Sequence, residues 1–194
     1  MTSAFGPDVQ LHNPAFIHPS ALLFGDVTIR EGASIWPYVV MRAEMYRIDI
    51  GANSNIQDFV MVHVGDRADT IVGANCSITH HVTLHGCTIG DNCLIGIGAT
   101  IMDRCVIGEN SIVAGGAFLK EGTIIPANSI VMGQPGKVTR TRNNAVANAM
   151  NAFLYRRNAE AYAKGEYRVW SSAAFRDEMA AEMERLKAVH GEAT

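Results

Sequence analysis

Residues 89–125 read IGDNCL IGIGAT IMDRCV IGENSI VAGGAF LKEGTI I, and an aliphatic residue returns at every sixth position. The same period extends in both directions, with two longer gaps and one shortened spacing. The positions that it marks are Ile17, Leu23, Ile29, Ile35, Met41, Ile50, Ile56, Val62, Val72, Ile78, Leu84, Ile89, Ile95, Ile101, Ile107, Val113, Leu119, Ile125 and Val131. A fixed period sustained over so much of the chain predicts a repeat architecture.

A second series of small or β-branched residues accompanies the first, usually four residues after each aliphatic position. Its members are Ala21, Val27, Ala33, Val39, Ser54, Val60, Cys76, Val82, Thr88, Cys93, Ala99, Cys105, Ser111, Ala117, Thr123 and Ser129. We expect one short strand and one corner per six residues, with both series pointing inward and three strands in each coil. The nineteen aliphatic positions then predict about six coils.

This pattern predicts a mainly β fold, the left-handed parallel β-helix of hexapeptide repeats, followed by C-terminal α-helices. Hexapeptide helices wind left-handed, although parallel crossovers are nearly always right-handed. A β-sandwich, the alternative, would require turn signals about every 8–12 residues rather than every six.

Composition narrows the classes of function. The chain has 194 residues, of which 48% are hydrophobic but only 7% aromatic, and its 16 Lys+Arg against 19 Asp+Glu give a net charge of −3. A nucleic-acid binder would usually carry a basic surface, so we expect no nucleic-acid partner. No apolar run approaches the roughly 20 residues of a membrane span, and residues 1–8 do not resemble a signal peptide. We therefore predict a cytoplasmic protein that acts on a small molecule, without a membrane partner.

The period divides the chain into residues 1–140, a β-helix with a metal site, and residues 141–194, a helical segment. The first predicted helix covers residues 142–164 and ends at Gly165 as a C-cap. The second begins near Ser171 or Ser172, and its apolar stripe consists of Phe175, Met179, Met183 and Leu186. We expect this stripe to pack along the β-helix or against a neighbouring subunit.

Two longer gaps in the period, between Met41 and Ile50 and between Val62 and Val72, contain inserted residues. In a solenoid, inserted residues usually bulge outward as loops on one face, and such loops often carry function. We therefore expect functional loops at both insertions.

Four of the seven histidines fall within 23 residues, namely His63, His80, His81 and His85. A lone histidine would more often be structural, but a cluster favours a metal site. A coil nominally has 18 residues, so His63 and His80 lie about one coil apart, and His85 follows on the next strand. Three neutral imidazoles with an open fourth position form a known type of zinc site that activates water. Asp58 and Gln57 are candidates to fix a histidine tautomer or to order the bound water.

The four cysteines favour a structural interpretation. Cys76, Cys93 and Cys105 occupy the small inward position of their hexads, where buried cysteine behaves as a small hydrophobic residue. Cys87 follows His85 and could approach the site as a nucleophile, but no activating group accompanies it. Without a secretory signal or a CxxC motif, we expect reduced thiols.

Several runs resemble the gamma-class carbonic anhydrase family over roughly residues 10–165. They are Asn55-Ile-Gln-Asp58, Val62-His63-Val64, Thr79-His80, Leu84-His-Gly-Cys87-Thr-Ile-Gly-Asp91, Leu94-Ile-Gly-Ile-Gly-Ala99 and Gly133-Gln-Pro-Gly-Lys137. The histidine spacing within them is specific, whereas the hexads alone are shared with acyltransferases.

The resemblance implies a homotrimer with active sites at the subunit interfaces and with Zn2+ as cofactor, or else Fe2+ or Co2+. His63 and His85 of one chain and His80 of its neighbour would bind the metal, and His81 would not. The resemblance also implies that Arg42 and Asp58 form an ion pair between subunits, and that Gln57 orders the metal-bound water.

The departures from the family pattern point to its short-loop subgroup. Glu44 stands where the family usually has aspartate, and Met45 where the founding subgroup has glutamate. The loop at residues 65–70 is short and offers only Asp66 and Asp69, so it lacks the acidic segment that supplies a proton shuttle. Glu44 could assist catalysis, and Tyr162 best matches a tyrosine that approaches the metal from the C-terminal helix, although it could equally be a packing residue.

The function that this resemblance implies is that of a carbonic anhydrase-like lyase, in which zinc hydroxide attacks carbon dioxide to give bicarbonate. One alternative keeps the metal and hydrolyses an acyl-CoA thioester. Another is an acyltransferase of the hexapeptide fold, whose lone catalytic histidine fits three histidines poorly. A non-catalytic structural trimer would bind no metal.

Overall fold

The computed structural model describes residues 4–191, which wind into a parallel β-solenoid of about seven turns with two helices at its C-terminal end. Its architecture is consistent with a left-handed β-helix, and the predicted fold class is confirmed. The expected number of about six coils was too low. A strand at Gln10–Leu11 pairs with Thr28 and Ile29, so the solenoid begins before the first aliphatic position of the period.

The strands form three faces, and successive coils pair in parallel. The site face contains β3 (Leu22–Ile29), β5 (Val40–Ile50), β7 (Met61–His63), β10 (Thr83–His85), β13 (Thr100–Ile101) and β16 (Phe118–Leu119). The second face contains β1 (Gln10–Leu11), the later parts of β3 and β5, β8 (Thr70–Val72), β11 (Thr88–Ile89), β14 (Val106–Ile107) and β17 (Ile124–Ile125). The helix face contains β2 (Phe16–Ile17), β4 (Ser34–Ile35), β6 (Asn55–Ile56), β9 (Ser77–Ile78), β12 (Leu94–Ile95), β15 (Ile112–Val113), β18 (Ser129–Gly133) and the antiparallel β19 (Gly136–Thr141).

The interior is a column of stacked aliphatic and small side chains. All the aliphatic positions of the period are buried except Ile17, which is partly buried. The core cluster of buried side chains contains no aromatic residue, which explains how a chain so poor in aromatics fills its core. One prediction of an inward side chain was wrong. Thr88 is exposed and Cys87 is buried in its place, because the spacing from Leu84 to Ile89 is one residue shorter than the period.

The first insertion bulges outward, as expected, although it lies within one continuous strand. Residues 40–50 form the single long strand β5, whose pairing with β3 shifts register so that Gly25 pairs with Ala43 and Val27 with Ile48. The inserted residues are thus absorbed as a bulge within the strand. The second insertion is a tight turn between β7 and β8, in which the Gly65 N–H donates to the carbonyl of Ala68 at 2.9 Å.

Two helices follow the solenoid. Helix α1 (Ala145–Tyr162) packs against β2, β4, β6 and β9 of the helix face and ends three residues before Gly165. Helix α2 (Ala173–His190) begins where expected, because the Ser172 side chain accepts a hydrogen bond from the Phe175 N–H and caps it. It packs on α1 and buries Phe175 and Leu186. Neither helix is long and apolar enough, over residues 4–191, to cross a membrane.

Candidate metal centre

The site face brings two of the predicted metal ligands side by side. His63 ends β7 and His85 ends β10, and the two residues are partners in the parallel register. Each follows an inward aliphatic residue, so its side chain points outward from the solenoid. Arg42 of β5 occupies the same outward position one coil earlier, as the partner of His63.

The imidazoles of His63 and His85 converge through one nitrogen each. His63 Nδ1 lies 3.1 Å from His85 Nε2, and the ring centroids are 5.0 Å apart. Two ligands of a tetrahedral zinc ion, each about 2.0–2.1 Å from the metal, are separated by about 3.3 Å. The spacing of these nitrogens therefore suits two ligands of one metal ion.

The other nitrogen of each ring contacts a carboxylate. The Nδ1–H of His85 donates to Asp103 Oδ1 at 2.6 Å, and the Nε2–H of His63 donates to Glu44 Oε2 at 3.0 Å. We assign these protons from the partners, because a carboxylate can only accept. Histidines that ligate metals usually donate their second N–H in this way, which would leave both converging nitrogens free to bind a metal. Without a metal, two lone pairs would repel at this distance, so one of the converging nitrogens donates a hydrogen bond to the other.

Glu44 lies at the solvent end of this arrangement, with 52% of its side chain exposed. It pairs with Arg42 as well as with His63. Partial desolvation acts to raise its pKa, but hydrogen bonds from its own backbone N–H and from His63, together with the charge of Arg42, hold the pKa below its ordinary value. Glu44 is therefore a carboxylate at neutral pH and a competent acceptor for the His63 N–H.

His80 lies apart from this pair, in the corner between β9 and β10. Its Nδ1 lies 3.0 Å from Asp58 Oδ2, and 37% of its side chain is exposed. Among residues 4–191 of a single chain, no three His, Cys, Asp or Glu side chains are grouped to hold a metal ion. One chain thus brings together two of the three predicted ligands. His80 also pairs with a carboxylate, that of Asp58, but at a different edge of the solenoid.

Two predicted helpers have other partners within the chain. The amide Nε2 of Gln57 donates to Asn55 Oδ1 at 2.9 Å, and Gln57 is buried. Arg42 pairs with Glu44 and Asp58 with His80, so across the described residues of one chain there is no Arg42–Asp58 ion pair. The roles of Gln57 and of an ion pair between subunits stay predictions.

Helix α1 brings two tyrosines to the helix face. Tyr162 packs edge-on against Phe16 and Trp36, with ring centroids 5.9 and 5.0 Å away. Tyr155 packs against Trp36 at 5.7 Å, and its pKa is raised by burial and then by the nearby charges of Asp58 and Tyr162. The catalytic role expected for Tyr162 stays a prediction.

An exposed ring ladder follows the same corner as His80. Tyr38, Phe59 and His81 occupy equivalent positions on successive coils, with ring centroids 5.1 and 4.9 Å apart and nearly parallel planes. All three have φ near 60°, a conformation that bulky residues rarely adopt. Phe59 directly follows Asp58 and His81 directly follows His80, so the ladder borders the His80–Asp58 pair.

Cys87 does not reach the histidines as a nucleophile. Its side chain points into the core, is fully buried, and has its pKa raised well above the ordinary value, mainly by burial. The other three cysteines are also free and buried. These observations agree with the structural interpretation of the cysteines.

The sequence profile of the family described as Bacterial transferase hexapeptide (six repeats) matches residues 86–121. Among solved structures, a hexapeptide transferase family protein from Anaplasma phagocytophilum is 33% identical, with a TM-score of 0.76, and the match covers 81% of this chain and 96% of that one. The chain belongs to the hexapeptide transferase family. The match extends well beyond the profile and includes most of the solenoid.

Two curated relatives match part of the chain. Gamma carbonic anhydrase 1, mitochondrial, from Arabidopsis thaliana is 44% identical over 95 residues, which cover 46% of this chain and 34% of that protein. Carnitine operon protein CaiE from Escherichia coli O157:H7 is 44% identical over 93 residues, which cover 48% of this chain and 47% of that protein. The chain therefore matches less than half the length of these relatives. The predicted resemblance to the gamma-carbonic-anhydrase-like family is confirmed.

Proposed function

We propose that this protein is a metal-dependent enzyme that hydrates carbon dioxide to bicarbonate, with zinc, or else iron or cobalt, bound by His63, His80 and His85. The observation that carries the proposal is the convergence of His63 Nδ1 and His85 Nε2 at 3.1 Å, each on a ring whose other nitrogen donates to a carboxylate. A bound divalent metal supplies the chemistry by lowering the pKa of a water molecule to about 7.

The third ligand would come from a second copy of the chain, as part of a homotrimer. His80 is held by Asp58 with its Nδ1 and presents the rest of its ring at an exposed edge. Charge complementarity favours this docking, because the edge offers the Asp58 carboxylate and the site face offers the half-exposed Arg42 guanidinium. The exposed rings of Tyr38 and Phe59 would be covered in the same contact.

The residues of the chain would orient the reaction and carry away a proton. Asp103 and Glu44 hold the two imidazoles in place, and Gln57 is proposed to order the attacking water. Glu44 is the carboxylate that contacts a site histidine from the solvent side, so a proton would leave through it or pass directly to buffer. Asp69 in the short turn is already engaged by Arg47, with Arg47 Nε 3.2 Å from Asp69 Oδ2.

A second candidate is hydrolysis of an acyl thioester by the same activated water. The tight turn at Gly65–Ala68 and a cleft of about 400 Å³ beside Glu44 favour it, because they leave the site face open to a substrate larger than carbon dioxide. Acyl transfer is the further alternative, and the family description names a transferase.

The test is stopped-flow carbon dioxide hydration by protein loaded with Zn2+, or with Fe2+ under reducing conditions, beside acyl-CoA hydrolysis and acetyl-transfer assays. We expect carbon dioxide hydration that rises with buffer concentration, because the acidic proton-shuttle loop is missing. His80→Ala should abolish it, and His81→Ala is the matched control. Metal-loaded protein that turns over a thioester but not carbon dioxide would favour the second candidate; a folded trimer without metal would contradict both.

A further inference from the structure

We infer that Asp103 is a positioning residue whose carboxylate fixes the His85 imidazole in the one tautomer that leaves Nε2 available to a metal. The inference rests on the proposed metal site and deepens it. Asp103 lies one coil beyond His85, in the corner after β13, and sequence reasoning did not identify it.

The contact between the two side chains is short and sheltered. His85 Nδ1 lies 2.6 Å from Asp103 Oδ1, and 19% of the Asp103 side chain is exposed. Charge-assisted hydrogen bonds of this type are among the stronger ones in proteins. Because an ionised carboxylate only accepts, the imidazole proton is held on Nδ1, and the Nε2 lone pair faces His63 Nδ1.

Two glycines make the space that this carboxylate occupies. A Cβ atom built at Gly65 or at Gly86 would overlap Asp103 Oδ1. Gly86 has a φ of 54°, so its backbone conformation also favours glycine, whereas no such conformational demand applies at Gly65. The absence of a side chain at Gly65 is therefore explained by the Asp103 carboxylate and its close surroundings.

Backbone hydrogen bonds fix Asp103 from both neighbouring coils. The Arg104 N–H donates to the carbonyl of Gly86 at 2.7 Å, and the Gly122 N–H donates to the carbonyl of Asp103 at 2.8 Å. The carboxylate is thus held relative to His85 by the solenoid itself rather than by a flexible loop. Rigid support of this kind is what a precisely oriented ligand requires.

The test is long-range 1H–15N NMR of metal-free protein labelled with 15N-histidine, which reports the nitrogen that carries the proton. We expect His85 to carry it on Nδ1 in the wild type and to lose this preference in Asp103→Asn. Gly65→Ala should act in the same direction, because its Cβ displaces the carboxylate. Asp91→Asn is the matched control, since Asp91 accepts from the Ala74 N–H at another corner.

Titration with Zn2+ and Co2+ then measures the consequence for binding. We expect the metal Kd of Asp103→Asn to rise by about 10–100-fold, the usual cost of losing such a partner, while Asp91→Asn is unchanged. A wild-type His85 protonated on Nε2 would overturn the inference, as would an Asp103→Asn variant with lower Tm but unchanged tautomer and affinity. If no variant binds metal, including the wild type, but the tautomer responds to Asp103, the proposed function fails and the orienting role stands.

Discussion

The helix face and the site face are built from the same hexapeptide repeat, but they use their outward positions differently. On the helix face, Trp36 points outward and is only 4% exposed, because Tyr155 and Tyr162 of α1 cover it. On the site face, the equivalent positions are Arg42, His63 and His85, and no element of the described chain covers them as α1 covers the other face.

The two faces therefore separate the residues that stabilise the fold from the residues that we propose to bind a metal. The helix face is completed within one chain, by aromatic packing and by hydrogen bonds such as that from Asn148 Nδ2 to the Asn92 carbonyl at 3.0 Å. The site face instead holds two oriented imidazoles, and among the described residues of the chain no third His, Cys, Asp or Glu side chain joins them as a metal ligand. A change at Trp36, beneath α1, should therefore affect mainly stability, and a change at the site-face histidines should affect mainly metal binding.

The largest effect is expected for His80→Ala. Loss of one of three ligands should remove stoichiometric metal binding while leaving the solenoid folded, as measured by elemental analysis and circular dichroism. Mixing His80→Ala with His85→Ala chains, followed by reassembly, should restore part of the metal content. At some interfaces the His80→Ala chain then supplies His63 and His85, and the His85→Ala chain supplies His80. Full zinc occupancy in His80→Ala would show that the site is not shared between chains.

A smaller effect, and on stability alone, is expected for Trp36→Ala on the helix face. Deleting a buried tryptophan typically costs about 3–5 kcal/mol in the free energy of unfolding, measured by urea denaturation. Trp170→Ala is the matched control: Trp170 is 44% exposed and donates from Nε1 to the Leu154 carbonyl at 3.2 Å, so about 1 kcal/mol is expected. Metal affinity of the folded fraction should not change; a large loss of affinity in Trp36→Ala would undo the separation of the faces.

The smallest effect is expected for the pH dependence of Glu44→Gln. The folded-state pKa of Glu44 is depressed, so its contribution is present above the ordinary value of 4.5 and is lost as the pH falls through the folded pKa. The stability advantage of the metal-free wild type over Glu44→Gln should therefore shrink in that acidic window. Because Glu44 is exposed, we expect only a few tenths of a kcal/mol, measured by denaturation between pH 7 and about 3. A stability difference between the wild type and Glu44→Gln that grows on acidification would contradict a depressed pKa for Glu44.

The residues that point into the core were predictable, because each coil buries side chains at the same positions of the repeat. The hexad period identified Ile35, Ile56, Ile78 and the rest of the aliphatic column, since every such position meets the same environment. It failed at Thr88, where a deleted residue shifts the small position to Cys87. It located the insertion between Met41 and Ile50 but not the register with which β5 continues through it, because a period does not show how inserted residues pair.

The residues that point away from the core were only partly predictable, because their surroundings differ from one coil to the next. The spacing of His63, His80 and His85 indicated a metal site. The spacing alone does not show that the rings of His63 and His85 meet within one chain while His80 lies apart from them. Asp103 was missed because an aspartate at a hexad corner resembles any other turn residue until its coil is stacked on the preceding one, which contains His85.

Native mass spectrometry of protein purified without added metal tests whether the metal site is shared between chains, because it reports the number of chains and of metal ions in the same particle. We expect a trimer carrying about three metal ions, and chains that lose the metal when the trimer is dissociated. A monomer that retains one metal ion, or a fully assembled trimer with none, would contradict it.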